Sequence, residues 1–229
     1  MPTLPARYQE PWRAPFERRL EELLRPSQTI LDVGAGRSPT IPPDRRPENT
    51  RYVGLDISAR ELAAAPPGSY DETWVSDVTQ RVPELEDRFD LILSWQVLEH
   101  VRPLGAAFDN FHAYLRPGGR LVGQFSGTFS YFGLASRLIP HRLTAWLVGR
   151  FTERSSDSVF PAHYHRCWDG ALRRILAPWA RAEIVPRYTG AAYLRPLPPA
   201  QGLYLVYEDW AMRSGRRNLA THYFVEAER

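Results

Sequence analysis

The sequence predicts an α/β domain built on a mostly parallel sheet, and three observations carry that expectation. Short apolar runs near residues 29–33, 51–55 and 89–94 alternate with stretches of helical periodicity. The run at 89–94 is almost uniformly apolar, as a central parallel strand covered on both faces must be. The first run, Thr29-Ile-Leu-Asp-Val, breaks into Gly34 and Gly36, so a buried strand ends in a turn where the backbone comes close to something. In open α/β sheets that strand end is where ligands bind.

Length and composition narrow the class. A chain of 229 residues with 43% hydrophobic content suits one α/β domain with an insertion. Cys167 is the one cysteine, which excludes an intrachain disulfide. No apolar run approaches the ~18 residues of a membrane span, and the N-terminus lacks a signal-peptide core, so a cytoplasmic location is expected. The net charge is +3, and all 29 basic residues are arginine. They are scattered rather than gathered into a stripe, which argues against a nucleic-acid footprint; no DNA partner is expected.

The elements follow in order. Residues 1–13 are proline-rich and read as an extended arm. A helix is expected over 14–25, with Phe16, Leu20, Leu23 and Leu24 on one face, ended by Pro26. After Gly36, the segment 37–50 holds four prolines, so the first crossover helix is expected to be missing or cut to a turn. The second strand, 51–55, ends at Asp56, which follows Asp32 by 24 positions. That is close to the ~20 expected between a glycine turn and a ribose-binding acid; capping the helix over 58–65 is its other reading. A short strand at 73–75 ends in Ser76-Asp77-Val78, where Asp77 reads either as a ligand contact or as a loop carboxylate in an Asx-turn. The strand at 89–94 runs into Ser94-Trp95-Gln96, a helical turn at 97–101 and a helix at 104–115. Arg116-Pro-Gly-Gly119 stops that helix before a fifth strand at 120–125.

Residues 126–170 do not fit the sheet. Two short helices at 132–139 and 141–151, a polar loop at 152–158 and the aromatic and histidine cluster at 160–168 read as a helical lid insertion within a single domain spanning 1–229. The lid helices combine Leu134, Leu138, Leu143, Trp146 and Leu147 with Arg137, Arg142 and Arg150. That composition suits the cover of a greasy pocket or a peripheral membrane contact. A helix from 169 or 170 to 176, a strand at 182–188, a helix at 201–214 and a last strand at 219–226 complete the chain.

The ordered blocks Asp32-Val-Gly-Ala-Gly36, Tyr52-Val-Gly-Leu-Asp56, Ser76-Asp77-Val78, Phe89–Gln96 and Leu115-Arg-Pro-Gly-Gly-Arg-Leu-Val122 resemble the class I methyltransferases that use S-adenosylmethionine. The resemblance covers roughly residues 28–125. It implies a Rossmann-like three-layer sandwich whose seventh strand inserts antiparallel between the fifth and sixth. It also implies a cofactor site drawn from Asp32, Gly34, Gly36, Ser38, Asp56, Ile57, Asp77, Val78, Ser94 and Trp95. In such proteins the acid at the Asp56 position holds the ribose, the next residue packs on adenine, Asp77 and the Val78 amide meet the adenine edge, and a carbonyl near Ser94 and Trp95 meets the methionine ammonium.

Methyl transfer from S-adenosylmethionine does not demand a catalytic side chain, because the cofactor carries the reactive methyl. His163, Tyr164 and His165 are the candidates for taking a proton or orienting an acceptor. Glu99-His100 resembles the Glu-His pair of ubiquinone-pathway O-methyltransferases and of the plant small-RNA 2′-O-methyltransferase. There a further glutamate three positions earlier helps hold a divalent metal; here that position is Gln96, so no metal is expected. The acceptor implied is a small or lipid-linked molecule methylated on oxygen. The alternatives are a non-catalytic cofactor-binding module serving an enzyme partner, or an RNA methyltransferase.

Overall fold

The computed structural model describes residues 4–131, 133–134 and 162–229. Seven strands form one sheet: β1 (Thr29–Val33), β2 (Arg51–Asp56), β3 (Glu72–Val75), β4 (Phe89–Trp95), β5 (Leu115–Ser126), β6 (Arg181–Arg187) and β7 (His222–Glu228). Their spatial order is β3-β2-β1-β4-β5-β7-β6. Strands β1 to β5 pair in parallel, while β7 lies antiparallel between β5 and β6, in register from Ser126↔His222 to Arg120↔Glu228. The expected sheet and its inserted last strand are both present.

Strand periodicity sorts the core into two layers. Leu31, Val53, Ile92, Leu121 and Val225 face helices α3 (Leu104–Tyr114) and α4 (Asp169–Ile175), which contribute Phe108, Phe111 and Leu172. Their chain neighbours Ile30, Tyr52, Leu91, Val122 and Phe224 face the other way, onto Phe16 and Leu20 of α1 (Ala14–Leu23). The result is the three-layer sandwich that the resemblance implies.

On the α1 side no regular helix joins β1 to β2; the connection holds one 3-10 turn, Pro43–Arg45. A polar network does the joining instead. The Arg46 guanidinium lies 3.7 Å from the centre of the Tyr52 ring and donates to the carbonyls of Ile41 and Ser69. The Tyr52 hydroxyl donates to Asp32 at 2.7 Å and accepts from the Ile41 amide at 3.1 Å. Prolines cannot supply helical amides, so side-chain donors satisfy the buried groups of this crossover.

Several bounds differ from expectation by a few residues. Helix α1 stops at Leu23, and α2 (Ala59–Ala63) is a single turn capped by the Ser58 hydroxyl, which accepts from the Glu61 amide at 3.2 Å. The N-terminal arm is also less extended than its prolines suggest: a 3-10 turn at Ala6–Tyr8 is held against helix α5 (Pro198–Arg213). Arg7 donates to Asp209 at 2.7 Å, and the Tyr8 hydroxyl donates to the buried Glu208.

The expected lid helices and the 152–158 loop lie outside the described residues. Both flanks of that segment belong to the packed domain. Thr128 donates from its amide to the Cys167 carbonyl at 2.8 Å and from its hydroxyl to the Tyr164 carbonyl at 2.7 Å. The amides of His163 and Tyr164 both donate to the Glu99 carbonyl, at 2.9 and 2.8 Å.

Candidate active site

The expected cofactor residues gather at the C-terminal edge of the sheet, where the strand order reverses between β1 and β4. Gly34 and Gly36 both take positive φ, 70° and 52°, which strains any side chain. The two glycines differ in what surrounds them. A Cβ on Gly34 would stand 2.2 Å from a Val97 methyl, so the close approach there is made by the β4 turn. At Gly36 the nearest atom to such a Cβ is Asp56 Oδ2 at 3.7 Å, and the requirement is one of backbone angle alone.

Asp56 ends β2 facing this turn. Its Oδ2 accepts from the Gly36 amide at 3.0 Å and its Oδ1 from the Ser58 amide at 2.8 Å. Burial raises its pKa, opposed by those two amide bonds. The cap of α2 is Ser58, so Asp56 is not spent on the capping role. Beside it Ile57 is 58% exposed, an apolar side chain with one open face. An exposed ion pair holds the turn in place: Arg37 meets Glu61 through two bonds of 2.7 Å. The Tyr70 hydroxyl fixes it further by donating to the carbonyls of Ala35 and Gly36. Ser38 lies exposed beyond the turn.

Asp32 is held differently from Asp56. It is fully buried, and both its oxygens are met from within: Oδ1 by the Thr40 hydroxyl, Oδ2 by the Thr40 amide and the Tyr52 hydroxyl. Burial raises its pKa, while these bonds pull it down. It anchors the connection after β1.

Asp77 forms the Asx-turn that its position allows, with Oδ1 accepting from the amide and hydroxyl of Thr79, each at 2.8 Å. Val78 is buried, its carbonyl accepting from Asn110 at 2.8 Å.

Where β4 ends, Ser94 is buried with no partner for its hydroxyl among the described residues. The Trp95 ring packs 4.7 Å from Trp12 and 4.8 Å from Phe16, with the Arg13 guanidinium 4.8 Å from its centre. Gln96 holds a positive φ of 56°, and its side chain is engaged by the Gln124 carbonyl and the Ser126 hydroxyl. Among the described residues no three His, Cys, Asp or Glu side chains are grouped to hold a metal.

Glu99 is a second buried carboxyl at this end of the sheet, after Asp32. It is 4% exposed; Oε1 accepts from the Ser126 amide at 3.3 Å, and Oε2 has no partner among the described residues. Burial pushes its pKa up to about 7. Its charge raises the hydroxyls of Tyr164 and Tyr193, after burial as the main cause.

The three residues expected to be catalytic lie on one short stretch beside Glu99, whose carbonyl accepts from the amides of His163 and Tyr164. His165 turns its Nδ1 toward the Leu104 amide at 3.4 Å, at the start of α3. It satisfies a helix-end donor, and burial lowers its pKa. His163 is exposed, and Tyr164 is buried with a φ of 47°. The structure places other residues here as well. Trp12 and Tyr193 both lie against the fully buried His222 ring, at 5.6 and 6.2 Å between ring centres. Burial pushes the pKa of His222 down to about 3, so it is neutral at ordinary pH.

A family model described as a methyltransferase domain matches residues 6–171, more than half of the chain. The chain belongs to the methyltransferase-domain family. Among curated relatives, this methyltransferase domain is 33% identical over 100 residues to a ubiquinone biosynthesis O-methyltransferase of Nitrobacter winogradskyi, covering 42% of the chain and 37% of that protein. The corresponding Brucella melitensis protein is 28% identical over 111 residues, 46% of the chain and 44% of the relative. The match thus spans less than half the length of these relatives. Two solved structures share the fold. An S-adenosylmethionine-dependent methyltransferase of Mesorhizobium loti superposes with a TM-score of 0.53 at 18% identity, covering 93% of this chain and 96% of that one. Phosphoethanolamine N-methyltransferase 2 of Haemonchus contortus, in complex with S-adenosyl-L-methionine, gives 0.58 at 12%, covering 95% and 52%.

Proposed function

We propose that the chain is an S-adenosylmethionine-dependent methyltransferase acting on a hydroxyl of a small or lipid-linked molecule. The carrying observation is Asp56, a strand-end carboxylate aimed at a positive-φ glycine turn with the exposed Ile57 beside it. Each Asp56 oxygen already accepts one amide and keeps a lone pair, so the pair suits two vicinal ribose hydroxyls. Ile57 offers a flat apolar surface to adenine. The Asx-turn uses Oδ1 of Asp77, leaving Oδ2 to the adenine amino group. The buried Ser94 hydroxyl, without a partner among the described residues, and the backbone turn through Gln96 suit a charged amino-acid end.

When bound, S-adenosylmethionine supplies an electrophilic methyl group on a sulfonium. The protein aligns the acceptor, excludes water and removes a proton. Glu99 is the group suited to the proton: a carboxyl with a pKa near 7 and an oxygen unpaired among the described residues is poised as a general base at neutral pH. It replaces His163 and His165 in that role. The Trp12, Trp95 and Tyr193 rings supply an apolar wall for the acceptor. An RNA acceptor is disfavoured because many arginines are already paired with carboxylates, among them Arg19, Arg37, Arg88, Arg116 and Arg120.

Calorimetry with S-adenosylhomocysteine tests the reading. Losing a charged acceptor costs on the order of 1.5–3 kcal/mol, so Asp56→Ala weakens binding by roughly tenfold or more. Absence of binding to the native chain, or unchanged affinity in a folded Asp56→Ala variant, overturns it. Release of S-adenosylhomocysteine on adding a cell lipid extract then reports the acceptor class.

A further inference from the structure

We infer that the outer face of helix α5 is a docking surface for an anionic lipid bilayer. The helix is amphipathic in the inverted sense. Its inner face buries polar side chains along with Leu205 and Ala211. Gln201 donates to the Ala191 carbonyl at 3.0 Å, and Glu208 accepts from the Gly190 amide at 2.7 Å and the Thr221 hydroxyl at 2.8 Å. Its outer face carries Leu203, Val206 and Trp210, which are 75%, 68% and 51% exposed. At positions i, i+3 and i+7 they form one stripe. Leu197, just before the helix, extends it at 60% exposure. Solvation does not explain such a stripe on a helix that turns Gln201 and Glu208 inward; a second apolar phase does.

Charge selects the occupant. Arg195, Arg213 and Arg216 are exposed around the stripe and make no ion pair among the described residues, and the Arg216 guanidinium lies 5.9 Å from the centre of the Trp210 ring. The two acids of residues 190–220 are both occupied: Glu208 within the core, and Asp209 by Arg7. An apolar stripe with tryptophan, bordered by unpaired arginines and no free carboxylate, is complementary to an anionic bilayer surface. A second copy of the chain would instead place these arginines against one another. Helix α5 follows the C-terminal end of β6, so it lies on the sheet edge that carries the candidate site. A bilayer there would deliver a lipid-linked acceptor. That last step rests on the proposed function; the binding itself does not.

Co-sedimentation of the full chain with phosphatidylglycerol–phosphatidylcholine vesicles tests the inference, with pure phosphatidylcholine as the comparison. Binding is expected to the anionic vesicles and to weaken with salt. Leu203→Ser combined with Val206→Ser should abolish it. Arg195→Gln, Arg213→Gln and Arg216→Gln together should weaken it by tenfold or more, from roughly fivefold per arginine near the surface. All these positions are exposed, and an unchanged circular dichroism spectrum together with unchanged S-adenosylhomocysteine affinity confirms that each variant is folded. Failure to bind anionic vesicles at low salt overturns the inference, as does equal binding by the serine variant. So does self-association without lipid that the serine variant removes, which would make the stripe an interface between copies. None of these outcomes bears on the cofactor reading, which the Asp56 calorimetry decides separately.

Discussion

Replacing Glu99 with glutamine gives the most demanding test of the site. The carboxyl is buried, and its pKa is raised from 4.5 to about 7, chiefly by burial. The folded chain therefore keeps a proton that the unfolded chain loses between those two values. The stabilisation is fully present below pH 4.5 and is lost as pH rises through 7. The difference corresponds to about 3 kcal/mol. Glu99→Gln keeps an oxygen for the Ser126 amide and cannot ionise, so this slope disappears. For a domain of this size 1 kcal/mol shifts Tm by about 2–4 °C. The variant should gain about 6–12 °C on the native chain between pH 4.5 and pH 8. Thermal unfolding of both proteins at half-unit pH steps measures it. Any fixed cost of the amide cancels, because the readout is the change with pH. A melting difference independent of pH refutes the burial argument. If Glu99 is the base, the variant also loses methyl transfer, and the rise in native activity around pH 7 is absent from any residual rate. Retained activity with the native pH profile would remove Glu99 from the chemistry while leaving the stability argument standing.

Three further outcomes are expected. Gly34→Ala should lower stability by a few kcal/mol, because its φ is 70° and its Cβ would stand 2.2 Å from Val97; adding Val97→Ala should restore part of it, and denaturant midpoints of the single and double variants decide. His165→Ala should cost about 1 kcal/mol through the unsatisfied Leu104 amide, yet leave methyl transfer within about twofold, since its ring is directed to α3; a loss of two orders of magnitude would return it to the site. Dialysis against a chelator should leave turnover intact, because the Gln96 amide is engaged by Gln124 and Ser126; loss that magnesium or zinc restores would contradict this.

The sequence by itself determined the sheet and the position of its ligand edge. Local signals suffice for both. Apolar alternation assigns Ile30 and Leu31 to opposite layers, prolines in 37–50 forbid the first crossover helix, and the glycine turn followed by Asp56 marks the strand ends that face a ligand. Chemistry at those ends was less legible. Asp32 and Asp56 both stand at or next to the end of apolar runs, and their residue type alone does not distinguish the carboxylate enclosed by Thr40 and Tyr52 from the one facing the turn. His165 looked as reactive as any histidine until α3 placed an amide against it. Tertiary structure alone decided the surroundings of Glu99 and the wall of Trp12, Trp95, Tyr193 and His222. It also decided the inverted faces of α5. The physical reason is shared. A carboxyl's pKa and a ring's partners depend on which residues, up to some two hundred positions apart, are packed against them, whereas periodicity and turn chemistry act over a few positions and are written in the chain.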